Sequence, residues 1–98
     1  MQREYAVRDS VGEFVARVDL AVPLVRLGIE GHSREHHITP DERAYDERRD
    51  NRAAEAGWDI RYVGFADATR SPAQVRAYIE RLVDRRARDL RIRLPTDA

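Results

Sequence analysis

The chain contains no cysteine. Disulfides, thiolate zinc sites and cysteine nucleophiles are thereby excluded for it. It contains no lysine either: all eighteen basic residues are arginine, and eighteen acidic residues balance them to a formal net charge of zero. A neutral domain has no strong overall field for a polyanion, so any nucleic-acid contact must come from a local basic face. Arginine suits bidentate phosphate contacts; coding bias in a genome rich in G and C is the simpler account of its exclusive use. No apolar run approaches the roughly 20 residues of a membrane span, and the N-terminus lacks a signal-peptide pattern. A cytoplasmic protein with no membrane partner is the expectation. Aromatics are scarce, at 7%, with a single tryptophan. No base-stacking platform is visible, and Trp58 and Tyr62 read as core. At 98 residues the chain fits one small domain of modest stability.

Periodicity orders the elements. Arg3 to Arg8 alternates as a strand, and Asp9-Ser10-Val11-Gly12 carries turn chemistry. Glu13 to Val22 reads as a second strand, with Phe14, Ala16, Val18 and Leu20 on one face and Val15, Arg17 and Asp19 on the other. Pro23 ends it, and Leu24 to Glu30 is a third, central strand. A polar loop from Gly31 to Ile38 holds all three histidines. Thr39-Pro40-Asp41-Glu42 is a capping box with proline at the first helical position, and the helix should end at Gly57. Its apolar face is poor. Trp58 to Phe65 reads as a fourth strand, and Ser71-Pro72-Ala73-Gln74 as a second capping box. Behind it Val75, Tyr78, Ile79, Leu82 and Val83 form one helical stripe. The order β-β-β-α-β-α predicts an α/β fold with a mixed sheet, as one domain over residues 2–88 and a tail over 89–98. Leu20 or its face-mates Phe14 and Val18 should pack toward the Val75, Ile79 and Leu82 stripe.

Metal-dependent phosphodiester cleavage needs carboxylates on adjacent strands to hold a divalent ion. Asp19 lies late in the second strand and Glu30 ends the third, with His32 two residues on. On that spacing alone, solvated carboxylates at loop mouths are the commoner explanation. Its neighbours are more specific. Arg17-Val18-Asp19-Leu20-Ala21, Pro23, Arg26-Leu27, Ile29-Glu30, His37, the run Asp46 to Asn51, Ala56-Gly57-Trp58, Ala66-Asp67 and Pro72 fall in one register. Together they resemble the compact, bacterial, very-short-patch-repair branch of the restriction-endonuclease-like superfamily. The resemblance implies a restriction-endonuclease-like sheet and a DNA endonuclease dependent on Mg2+, or on Mn2+. Asp19 and Glu30 are then the metal ligands, and His32 and His37 the proton-transfer candidates. Asp46 supports the site, Arg48, Arg49 and Arg52 face DNA, and a small-molecule ligand is not expected.

Several departures frame a second reading. The family often has aspartate at His32 and glycine at Ser33, so the site here is one negative charge poorer. Ala53 replaces a leucine, and Ile60-Arg61-Tyr62 puts Arg61 where it would point at the core. The family also has a helix ahead of the first strand, often with a further acidic residue. The sequence here opens on the strand, which a fragment, a misassigned start or a degenerate copy would each explain, and a truncated start with an N-terminal partner segment or domain outside this chain is the expectation. The alternative is a catalytically inactive remnant that binds DNA or protein through the same surface. His32, His36 and His37 could instead gather a zinc ion, although loop histidines are usually solvated. The arginines from Arg43 to Arg52 alternate with acidic residues, which equally describes a salt-bridged, solvated helix face.

Overall fold

Turn chemistry and alternation build the first hairpin. β1 (Gln2–Arg8) and β2 (Phe14–Val22) pair antiparallel. Asp9 fixes the turn: its Oδ1 accepts the N–H of Val11 at 3.0 Å and of Glu13 at 2.9 Å. Gly12 there has φ +86°, a conformation open to glycine. The computed structural model describes residues 1–32 and 39–95, with the side chains of all of these but His32, Phe65 and Ala66.

The third strand starts later than alternation suggests. Pro23–Val25 forms a 3-10 turn, and β3 spans Leu27–His32. Proline has a fixed φ and no N–H to give the ladder, so the chain turns at once. Arg26 closes the turn at φ +51°, its N–H bonded to the Pro23 carbonyl at 3.1 Å. β2 and β3 are adjacent and antiparallel, with Leu20 opposite Ile29 and Ala21 opposite Gly28. β4 (Asp59–Gly64) runs parallel to β3. A parallel pair needs a crossover, and α1 (Pro40–Glu55) supplies it. The result is an α/β fold on a four-stranded mixed sheet in the order β1-β2-β3-β4.

The first helix is capped as its sequence predicts. The Thr39 side chain accepts the Glu42 N–H at 3.1 Å, and Gly57 follows the helix at φ +87°. The second capping box does not form. A short helix, α2 (Phe65–Arg70), occupies what reads as the end of the fourth strand, and the Ser71 N–H is taken by the Asp67 carbonyl at 2.9 Å. Ser71 is therefore a joint between two helices and makes no side-chain cap; α3 (Pro72–Leu90) begins directly after it. Beyond α3 the chain turns back on the core. Arg91 turns left-handed at φ +54°, the Ile92 N–H returns to the Ala87 carbonyl at 2.8 Å, and Leu94 packs back on the core.

The sheet lies between helices. Ala21, on one face, shares a cluster with Val15, Val18, Trp58 and Ala53 of α1. Leu20 and Val22, on the other face, join Leu27, Ile29 and the α3 residues Ile79 and Leu82. Leu20 thus meets the helical stripe as expected, but Val18 and Phe14 do not. The register shifts after Val7, which faces Ala16, to Arg8, which faces Phe14. Val15 is the extra residue of a bulge, so Val15 and Ala16 are both buried and Phe14 is left 52% exposed. Among the described residues no helix is long and apolar enough to cross a membrane.

Candidate functional site

The site lies where β2 and β3 part. Parity along β2 changes a second time between Val18 and Leu20, which face different clusters. Asp19 sits at that change. Across from it, between the pairs Arg3–Leu20 and Tyr5–Val18, Glu4 adopts φ +47°. A left-handed glutamate inside a strand is strained, by about 1–2 kcal/mol. The ladder opens here, and the Asp19 Oδ2 accepts the Gly31 N–H at 2.9 Å in place of a backbone carbonyl. Asp19 is exposed, and Glu30, the residue before Gly31, is half-buried. Asp19 therefore lies beside the β3 residue that follows Glu30, just past the point where the β2–β3 ladder stops.

Helix α1 lays a polar stripe over this point. Asp46, Arg49, Asp50 and Ala53 follow helical spacing and are all at least half-buried. The Arg49 Nη2 lies 2.8 Å from the Glu30 Oε2, with the two side chains only 16% and 15% exposed. The same nitrogen lies 3.3 Å from the Asp50 Oδ1 and donates to the Tyr62 hydroxyl at 3.3 Å. Tyr62 in turn donates to the Asp50 Oδ2 at 2.7 Å. Burial opposes the charge on Arg49, but hydrogen bonding and attraction from Glu30, with Tyr62 and Asp50, outweigh it, and the guanidinium is held protonated more firmly than a free arginine. Burial first, then the bond to Asp50 and its charge, push the Tyr62 phenol above its ordinary value.

Arg49 is thus turned onto Glu30 rather than outward, while Arg48 and Arg52 are exposed on α1. Arg52 reaches the Phe14 carbonyl at 3.4 Å. Asp46 is half-buried on the stripe one turn before Asp50. The backbone of His32 pairs with Gly64; its side chain, and the whole of His37 and His36, lie outside the described residues. Among the described residues no group of three or more His, Cys, Asp or Glu side chains gathers as a metal cage. Arg61 does not enter the core: on an edge strand it is 43% exposed and pairs with Asp59 at 3.0 Å. Two members of the cluster go unflagged by sequence reasoning. Asp50 looked like helix-surface charge, and Tyr62 like core, although it is 40% exposed. The period of two that places Ile60 on the α1 side also places Tyr62 there, and is the signal that finds it.

Over 82 residues, 84% of this chain, the sequence is 37% identical to two Mycobacterium tuberculosis proteins: Uncharacterized protein MT2308 of strain CDC 1551 and Uncharacterized protein Rv2248 of strain H37Rv. The chain spans 30% of the length of these curated relatives. No family model matches the chain, and no solved structure does.

Proposed function

We propose that the domain is a metal-dependent DNA endonuclease of the very-short-patch-repair-like type, with the restriction-endonuclease-like fold. One observation carries this reading: the Asp19 carboxylate accepts the N–H of Gly31, the residue after Glu30, where β2 and β3 leave their shared ladder and the polar stripe of α1 passes over Glu30. The four-stranded mixed sheet with its helices is of the α/β class that such a fold requires. Two carboxylates offer hard oxygen donors of the kind Mg2+ and Mn2+ take, so the donor chemistry fits such an ion. Asp19 and Glu30 would hold it, and when bound it would polarise a phosphodiester and activate water. The chain's own part is positional. The Gly31 N–H orients Asp19, Arg49 orients Glu30, and the Asp50–Tyr62 pair orients Arg49. Exposed Arg48 and Arg52 would meet the DNA backbone. The test is incubation of mismatched, hemimethylated, branched and single-stranded DNA with Mg2+ or Mn2+, beside Asp19→Ala. Cleavage that survives Asp19→Ala, or no cleavage of any form, defeats the enzyme reading.

The Glu30–Arg49 pair favours a second reading. A carboxylate already neutralised by an internal cation suits a non-catalytic module that binds DNA or protein through this surface. DNA binding that weakens steeply with salt, without cleavage, would select it.

A further inference from the structure

We propose that Arg49 is a built-in counter-ion of the Glu30 carboxylate, and that a divalent ion entering between Asp19 and Glu30 displaces its guanidinium onto Asp50. The inference rests on the metal-site reading above and adds how that site is held when no ion is bound.

Arg49 stands 2.8 Å from the Glu30 carboxylate in a place where both side chains are mostly buried. A second, divalent cation cannot share that carboxylate without strong repulsion, because few waters lie between the charges to screen them. One of the two cations has to yield. Arginine cannot yield by losing its proton, so it yields by moving.

The geometry leaves it free to move. A strong guanidinium–carboxylate pair is bidentate. Here one nitrogen, Nη2, serves Glu30, Asp50 and the Tyr62 hydroxyl at once. The Arg49 Nε is buried and has no hydrogen-bond partner among the described residues. The guanidinium is therefore incompletely held. A second acceptor is already in reach, since Asp50 lies 3.3 Å from the same nitrogen and is fixed by Tyr62 at 2.7 Å. Transfer from Glu30 to Asp50 is a side-chain movement along one helix face. In the absence of metal, Arg49 offsets the repulsion between neighbouring carboxylates that a small domain is poorly able to carry.

The test is calorimetric titration of Mn2+ into the wild-type chain, Arg49→Met, Asp50→Asn and Asp19→Ala, with folding of each checked by circular dichroism. Arg49→Met keeps most of the stem and removes the charge; it should bind Mn2+ about tenfold more tightly or better. Asp50→Asn removes the second resting place and should weaken Mn2+ binding. An Arg49→Met affinity equal to or below wild type overturns the proposal. If Arg49→Met does not fold, Asp50→Asn decides, and unchanged or tighter binding there overturns it. Asp19→Ala separates this proposal from the reading beneath it. A gain from Arg49→Met that is also seen in the double variant Asp19→Ala, Arg49→Met, titrated beside Asp19→Ala, supports the competition for Glu30 and sinks the paired-carboxylate site. Wild-type binding abolished by Asp19→Ala, with no gain in Arg49→Met, sinks the competition and keeps the site.

Discussion

Removing one partner of the Glu30–Arg49 pair should cost more than removing both. Breaking a fully buried ion pair costs about 3–5 kcal/mol, because the survivor stays buried and uncompensated. Here the side chains retain 15% and 16% exposure, and Arg49 keeps Asp50 and Tyr62 as partners. We therefore expect Glu30→Gln to cost about 2 kcal/mol, roughly 10 °C in melting temperature for a domain this size. Arg49→Met should cost about as much, since it strands Glu30. The double variant Glu30→Gln, Arg49→Met should lie within about 1 kcal/mol of wild type, since neither charge is left behind. Urea denaturation followed by far-UV circular dichroism closes the cycle. A coupling energy near zero, with the two single costs simply adding, would show that solvent already screens the pair and would refute the reasoning.

Gly28 is wedged between strands: a Cβ there would lie 2.7 Å from the Ile60 Cδ1 and 3.1 Å from the Val18 Cγ1. The isoleucine end can shift, but Val18 is stiff and fully buried, so Gly28→Ala should cost about 1–3 kcal/mol in urea melts. Arg86 donates to the Val25 carbonyl at 3.0 Å and the Gly57 carbonyl at 2.8 Å. Arg86→Ala should cost about 2 kcal/mol, and Arg86→Lys should not restore it, because an ammonium lacks the fork. Glu4→Gly relieves the φ of +47° and should be neutral or stabilising, whereas Glu4→Ile should lower the melting temperature. The Tyr62 phenol is raised in the folded state, so its contribution is complete below the ordinary value of 10.0 and fades as pH climbs above it. The stability difference between wild type and Tyr62→Phe should accordingly shrink between pH 9 and pH 12 in urea melts, roughly the span in which an unfolded tyrosine ionises; a constant difference would count against the assignment.

Much of the fold was legible because its signals are local. The Asp9–Gly12 turn, the Thr39 cap, the Gly57 stop and the α3 stripe each depend on a few neighbouring residues. The misreadings come from places where parity is broken. Phe14 has the alternation of a core residue, and only the bulge at Val15 turns it outward. Nothing within the run Phe14 to Val22 announces that bulge. It is set by how β1 must register against β2. The start of β3 and the helix at Phe65 failed for a related reason. Apolar runs beside Pro23 and Gly64 fit a strand by period, and tertiary pairing decides where the ladder begins and ends.

The candidate site was legible as residue types and illegible as partnerships. Asp19 and Glu30 stood out because carboxylates at adjacent strand ends are a recognisable pattern. The weak apolar face of α1 looked like a defect of the helix, yet its inward turns carry Asp46, Arg49 and Asp50. A helix that presents charges to a sheet can dock only if those charges find partners there. Glu30 and Tyr62 are those partners, supplied from two different strands. Such matching joins residues up to 32 positions apart in the chain, as with Glu30 and Tyr62, and no window of sequence contains it. The same requirement ties stability to chemistry. The half-buried cation that lets α1 settle on the sheet neutralises one of the two carboxylates proposed to hold a metal. On that proposal, docking of the helix and occupancy of the site draw on one set of charges, and a change in either should be felt in the other.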